Sequence, residues 1–502
     1  MTDLDAIVVG SGPNGLAAAI RLAEAGRSVL VLEAADVPGG AVRTEELTLP
    51  GFHHDTFSSV YPAAAASPVF ARMPLADHGL EWVHPEACSA HPLPDGQAAV
   101  LYRDLERTAA SLDALAPGDG EAWVAFARPY LDAFPAVRAT MLSGFPPLGG
   151  PLQLLRCAGP LGALGFGRLL PESSVGLARR LFRSAGARAW LYGAALHGDT
   201  PPDGAGGAIA AFYLNLLGHA VGWPSPRGGA GRLAAALVAY LEARGGAVRT
   251  NAEVEAIMSG GGRVTGVRIR TGEVVSAPVV IADVMPGALL RMTGDALASW
   301  YRTGLSRYVH GPATLKVDWA LAGPIPWTAA AVRGAGTVHV GGSEPELLAS
   351  VEASRHGLPD RPFLLLGQQS IADPSRAPAG RHTAWAYTHG PAAADWTGRR
   401  AEHVQRMEEQ VERFAPGFRD LILARHVLGP ADLEARNANL VDGDVGGGSY
   451  RLRQVVFRPV PTLSPYKTPL HGLYLGSAAT FPGGAVHGVP GDAAAQAALR
   501  AG

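Results

Sequence analysis

The sequence predicts an α/β fold in which one layer is a parallel sheet and a second, mixed-sheet region carries an inserted helical cap. Three stretches lead to that expectation. The chain opens as strand, glycine turn, helix and strand; short apolar strands return near its centre; and the tail runs a last apolar strand through a small-residue turn into a closing helix. Strands that are apolar throughout need cover on both faces, so one parallel sheet is expected to gather them from the beginning, middle and end of the chain.

Ala6-Ile7-Val8-Val9 is the first of these strands, and Gly10-Ser11-Gly12-Pro13-Asn14-Gly15 follows it without a break. A helical pattern runs from about Leu16 to Ala25, Gly26 is placed to end it, and Val29 to Leu32 forms the second strand, finishing on Glu33. Gly10 allows the tight turn and Gly12 lets backbone approach a pyrophosphate. Gly15 lets the helix, which begins at Pro13 and Asn14, pack on the strand with its first N–H groups toward the phosphates. Glu33, eighteen residues beyond Gly15, is placed to accept hydrogen bonds from an adenosine ribose. The unit predicts a dinucleotide site.

A second glycine pair follows in Glu33-Ala34-Ala35-Asp36-Val37-Pro38-Gly39-Gly40-Ala41-Val42-Arg43-Thr44, and Gly51-Phe52-His53-His54-Asp55-Thr56 comes a few residues later. Here the chain resembles the FAD-binding amine oxidase and phytoene desaturase superfamily. The resemblance implies FAD as cofactor, with Glu33 and Ala34 at its adenosine end and Gly39, Gly40, Arg43 and Thr44 along its pyrophosphate. It departs from the usual pattern at Ala41, where Arg is common, and at Ala35, where a basic residue is common; Arg43 is the candidate replacement charge.

Arg227 to Arg232 is glycine-rich and leads into a helix from Leu233 to Gly245. A strand is expected from Ala247 through Asn251 to Ile257, then a hairpin turning at Gly260-Gly261-Gly262 and returning over Val264 to Arg270, then the strand Val279 to Ala282. In the resembling families the residue matching Val254 contacts the adenine end through its backbone. Gly472 to Thr480 reads as a strand ending in small residues, and Phe481 to Gly488 as the turn into a helix from Gly491 to Leu499. The resemblance places Gly476, Ser477, Gly484, Val486 and His487 beside the flavin ring. It extends to Phe457-Arg458-Pro459 and Tyr466-Lys467-Thr468-Pro469 and points to the phytoene-dehydrogenase-like branch.

From about Glu81 to Trp223 the pattern turns helical after a strand near Ala98 to Tyr102. Helices are expected over Asp104 to Leu115, Gly120 to Leu142, Gly176 to Ala194 and Ala205 to Leu217. In the region from about Pro286 to Asp444, alternation in Gly311 to Leu321 puts Thr314, Lys316 and Asp318 on one face of a strand. Of 42 basic residues only Lys316 and Lys467 are lysine. The resemblance places Lys316 where amine oxidases hold a water against flavin N5, and a compact ammonium suits such proton handling. His403 to Phe414 reads as an amphipathic helix with a core stripe.

The domain division expected is 1-75, 226-288 and 445-502 for a Rossmann-like FAD-binding domain assembled from discontinuous segments, and 76-225 with 289-444 for a substrate-binding domain. A net charge of -2 gives no footprint for nucleic acid. Cys88 and Cys157 form no CxxC, and the histidines show no ligand spacing, so no metal site or disulfide framework is expected. The first strand starts almost at once, which reads as a cytoplasmic chain. The long uncharged stretches are broken by Gly and Pro and do not span a membrane, but Ala139 to Leu155 and Cys157 to Leu170 leave room for peripheral contact with a membrane or a greasy substrate.

The function expected is an FAD-dependent oxidoreductase that removes a hydride from a largely apolar small molecule, forming C=C or C=N, with oxygen or a quinone as electron acceptor. Lys316 and His487 are the candidate catalytic residues, and His219 and Trp223 candidate pocket residues, with His197 behind them. Rival readings are a flavin-dependent isomerase of a polyene, a non-enzymatic prenyl- or lipid-binding protein of the same fold, and an NAD dehydrogenase, which leaves Gly39-Gly40 and the tail unexplained.

Overall fold

The computed structural model describes residues 4–198 and 200–501, apart from the side chains of Leu452 and Arg453. Its fold is α/β, as the sequence predicts. Five parallel strands form the first sheet in the order 473–475, 279–282, 6–9, 29–32, 247–249. Ile7, Val8, Val280 and Ile281 in its centre are wholly buried, as strands covered on both faces require. The helix Pro13–Glu24 lies against the closing helix Val489–Leu499 so tightly that a Cβ on Gly491 would stand 1.8 Å from the Asn14 carbonyl oxygen. That contact joins the first and last helices of the chain.

The expected strand 247–257 divides. Residues 247–249 join the parallel sheet, Asn251 takes a left-handed conformation at φ 52°, and 254–260 starts a separate antiparallel sheet with 263–269 and 274–276. Asparagine tolerates that conformation better than most residues, and the turn it makes sends the chain away from the first sheet.

A seven-stranded mixed sheet has the order 422–428, 313–321, 382–390, 364–367, 335–340, 87–92, 98–101. Only the pairing of 335–340 with 87–92 is parallel. One face packs its Leu315, Val317 and Trp319 against the helix Arg400–Glu412 through Met407 and Val411. The helical insertion covers the 335–340, 87–92 and 98–101 end of the other, where a Cβ on Gly193 would meet His339 and one on Gly218 would meet Leu101. The helix expected over 120–142 is two helices, Asp119–Asp132 and Phe134–Met141, with Pro135 at the start of the second, and that expected over 176–194 breaks between Leu181 and Ala185. Two further short helices, Gly149–Cys157 and Gly159–Arg168, occupy the largely uncharged stretch that Gly and Pro break short of a membrane span.

Candidate FAD and substrate site

The glycine loop at the end of the first strand is shaped by what its glycines lack. Gly10 sits at φ +95°, and a Cβ on Gly15 would fall 2.1 Å from the Gly10 carbonyl oxygen. The helix that follows has Gly12 at its N-cap, Pro13 in its first turn and no acid of its own in that turn; the Gly15 N–H is taken by the Asp283 carboxyl (2.9 Å), and the rest of the start is left for an anion. Asn14 is buried with its Oδ1 unpartnered.

The second glycine pair comes to the first. Gly39 donates its N–H to the Ser11 carbonyl (3.1 Å), and a Cβ on Gly40 would meet the Gly12 Cα at 3.0 Å. Glu33 accepts from the Ser11 N–H (2.8 Å) and hydroxyl (2.5 Å) and from the Ala35 N–H (2.9 Å). A carboxylate offers about four lone-pair positions, so acceptor capacity is left over. Ala34 beside it is exposed. Ala252 N–H donates to the Glu33 carbonyl (2.8 Å), which brings the start of strand 254–260, and with it Val254, to the same end of the slot. Arg43 pairs with Asp36 at 2.7 Å. The Thr44 hydroxyl is committed within the protein, donating to Asp55 (2.8 Å) and accepting from the Gly231 N–H (3.0 Å).

The tail closes on the helix Pro13–Glu24, with Gly491 against Asn14 and Gly488 against Ala17. Gly476 N–H donates to the Ala282 carbonyl (3.0 Å), and Ser477 is buried in the turn that follows. A Cβ on Gly484 would stand 2.0 Å from the Gly446 carbonyl oxygen, so the turn lies flush on the 446–448 segment. Ala485 holds φ 84° and is exposed; Val486 is half-buried. His487 is buried, with Nε2 3.2 Å from the Gly484 carbonyl and Nδ1 accepting from the Val489 N–H, so its ring fastens its own turn. Burial pulls its pKa down to about 4.

Lys316 lies on the sheet face opposite Leu315 and Val317, with Thr314 and Asp318 on the same strand and Trp385, Tyr387 and His389 directly across from them. It is buried and paired with Asp318. Burial raises the Asp318 pKa to about 6 despite the ammonium. His54 approaches Asp318 at 3.7 Å, and burial, with Lys316 nearby, lowers its pKa to about 3. Next along the chain Asp55 holds Arg376 (2.8 Å) and Thr44. Two neighbouring residues of the glycine-pair segment thus reach toward the sheet, Asp55 through Thr44 and Arg376 and His54 through the Asp318–Lys316 pair, and they are joined to each other through the backbone. Asp318 and Arg376 had no assigned role from sequence; the signal for Asp318 was its two-residue spacing from Lys316.

Trp385 and Tyr387 stack in parallel, 5.8 Å apart and 4° between planes, with the Lys316 ammonium 5.9 Å from the Trp385 ring. Asp318 Oδ2, His389 Nε2, Thr337 Oγ1 and Ser89 Oγ on this face find no protein partner. Buried polar atoms bond to something, so bound water or substrate atoms belong there. Trp223 is buried with its ring 5.1 Å from His197, which meets His339 of the sheet at 2.8 Å. Burial lowers the His197 pKa to about 3, leaving it neutral. His219 is in the core instead: Nε2 accepts from the Trp123 indole (3.0 Å) and Nδ1 is 3.3 Å from the Arg103 carbonyl.

A glycine cradle that a single Cβ would fill, at a helix start whose own first turn carries no acid, fits the pyrophosphate of FAD. Comparison with known proteins agrees. Residues 14–499 match the family described as flavin containing amine oxidoreductase. The rat pyridine nucleotide-disulfide oxidoreductase domain-containing protein 2 is 28% identical over 99% of this chain and 94% of its own. The neurosporene-forming phytoene desaturase of Rhodobacter capsulatus is 26% identical over 97% of this chain and 92% of its own. An oxidoreductase from Methanosarcina mazei superposes with a TM-score of 0.67 at 17% identity, covering 99% of this chain and all of its own. The chain belongs to the flavin-containing amine oxidoreductase family and is an FAD-dependent oxidoreductase.

Proposed function

We propose that the protein takes a hydride from one C–H bond and a proton from the neighbouring carbon of a largely apolar substrate lying between the stacked Trp385–Tyr387 wall and the flavin, the hydride going to bound FAD and the proton to a water held at Lys316, leaving C=C. One observation carries this reading: the adjacent residues His54 and Asp55 connect the glycine-pair segment to an aromatic sheet face with Lys316 at its centre, His54 beside Asp318 and Asp55 holding Thr44. Bound FAD supplies the hydride-accepting ring position. The protein's share is to bind, orient and keep water out. The Lys316 ammonium, fixed by Asp318, holds a water and moves its proton; His487 keeps the tail turn in place beside the ring; and Trp223 with His197 closes the far end. Likeness to a desaturase of a long polyene supports an apolar substrate.

A second reading, an amine giving C=N, is favoured by the unpartnered Asp318 Oδ2 and His389 Nε2 on the same face. Anaerobic mixing of the oxidised protein with isoprenoid, polyene and amine panels decides between them: the class that bleaches the yellow colour is the substrate class. A product of unchanged mass formed without net bleaching would favour isomerisation instead. Admitting air to the reduced protein then separates oxygen from a quinone as acceptor. Lys316→Met combined with Asp318→Asn should slow the oxidation of substrate or the reoxidation of flavin by about a hundredfold; unchanged rates for both would remove Lys316 from the mechanism.

The proposal includes a docking surface for a membrane. Leu148, Leu152, Leu155, Leu161, Leu164 and Leu170 are all exposed on or beside the two short helices, Leu161 at 85%. No acid occurs between Asp132 and Glu172, while Arg156 and Arg168 are exposed and, among the described residues, make no ion pair. Apolar side chains flanked by free positive charge suit an anionic bilayer surface. Phe145, just before these helices, touches Phe481 of the tail turn (5.5 Å between rings), so the patch adjoins the flavin side of the site. Among the described residues no helix is long and apolar enough to cross a membrane.

A further inference from the structure

Asp283 is the first residue after the strand 279–282, and its backbone is held on both sides. Its N–H donates to the Val9 carbonyl (2.8 Å), and its carbonyl accepts from Asn439 Nδ2 (2.9 Å). So fixed, the side chain enters the glycine loop. Oδ2 accepts the Gly15 N–H at 2.9 Å, and a Cβ on Gly12 or Gly15 would stand 2.8 or 3.2 Å from that oxygen. The carboxyl thus occupies one of the few backbone donors that this helix start offers to a phosphate; Pro13 has none, and no other side chain caps it.

We propose that Asp283 binds the FAD pyrophosphate as a neutral carboxylic acid, accepting from Gly15 with one oxygen and donating its O–H to a phosphate oxygen, so that cofactor binding takes up one proton. An ionised carboxylate in this place repels the phosphates and competes for the same donor. The neutral acid does not repel them, and in place of the Gly15 N–H that it occupies it offers its own O–H, which when donated to an anionic oxygen is among the stronger hydrogen bonds.

The surroundings favour the neutral form. Asp283 is buried, and among the described residues it makes no ion pair. The elements packed around it bring no positive charge to it. The glycine loop contributes Ser11, the end of the second strand contributes Glu33, and the 437–439 segment contributes two asparagines. Arg43, the basic residue of the glycine-pair segment, is taken by Asp36. Burial, with Glu33 adding to it, raises the Asp283 pKa to about 7. A pyrophosphate brought beside it raises that value further, which is the linkage between proton and cofactor.

The test uses the holoprotein. After equilibration by dialysis at a series of pH values, free and bound FAD are measured by flavin fluorescence. Above about pH 7 the wild-type affinity should fall about tenfold per pH unit until the bound-state pKa is reached. Asp283→Asn, which keeps an acceptor and a donor, should bind FAD with no such slope. Asp283→Ala should bind more weakly at every pH. Rebinding FAD to the wild-type protein at about pH 8, measured by calorimetry in two buffers of different ionisation enthalpy, should show close to one proton taken up per FAD. A flat wild-type affinity with no proton uptake, or an Asp283→Asn protein with the wild-type slope, overturns the proposal. The calorimetric arm needs no variant, so it stands even if both substitutions fail to fold.

Discussion

Replacing Lys316 with Met takes the ammonium from a wholly buried carboxyl. Asp318 would then face neutral His54, the Asp55 carboxylate, which opposes its ionisation, and Arg376, which favours it but is already paired with Asp55. In the wild type, burial holds the Asp318 pKa at about 6, above its value in an unfolded chain, so ionising it costs stability as pH rises toward 6. Above that point both partners are charged and the curve levels. Without Lys316 the carboxyl keeps its proton to higher pH, and the variant goes on losing ~1.4 kcal/mol per pH unit. Between about pH 6 and about pH 8 the gap from wild type should widen by about 3 kcal/mol, near the ~3–5 kcal/mol cost of removing one partner of a buried pair. Urea unfolding of both proteins at the two pH values measures this. Adding Asp318→Asn to the variant should make the gap independent of pH. An equal gap at both pH values, or a double variant with the same pH dependence as the single one, would refute the reasoning.

Three further outcomes are expected. Leu161→Gln with Leu164→Gln should abolish flotation with vesicles containing anionic lipid while leaving thermal stability within about 0.5 kcal/mol, because both side chains already face solvent; unchanged flotation would discard the docking surface. Ala485→Gly should stabilise the protein by about 1 kcal/mol, since leaving φ 84° to glycine releases ~1–2 kcal/mol of strain and costs ~0.5–1 kcal/mol in chain entropy; a lower melting temperature would contradict it. At about pH 8 the FAD-free Asp283→Asn protein should be more stable than wild type by up to about 4 kcal/mol, the ionisation cost of a carboxyl whose pKa burial has raised from its ordinary value to about 7; equal stability in urea would count against a buried, destabilising charge.

What the sequence revealed depended on whether the signal was local. Gly10, Gly12 and Gly15 were readable because glycine in that spacing states what the backbone must do, and the close seats of Gly12 and Gly15 against Asp283 and Gly10 show why no Cβ is present. Lys316 stood out because lysine is so rare in this chain. Asp283 gave no signal: one acid at a strand end looks the same whether it faces solvent or a phosphate slot. His219 was expected in the pocket and lies in the core, since a lone helical histidine does not say which neighbour, here Trp123, its ring will meet. The two leucine-bearing helices were hidden by Gly149, Gly150, Pro151, Gly159 and Pro160, which sit at helix starts, where such residues are tolerated. Asn251 likewise divided one expected strand into two by a single backbone choice.

Absorption spectroscopy of gently purified protein bears most directly on the account. Convergence of the opening glycine loop, the central Val254 segment and the tail turn on one slot predicts a yellow protein with close to one FAD per chain, or a colourless one that turns yellow on adding FAD. Protein that is folded, colourless and takes up no added FAD would contradict it.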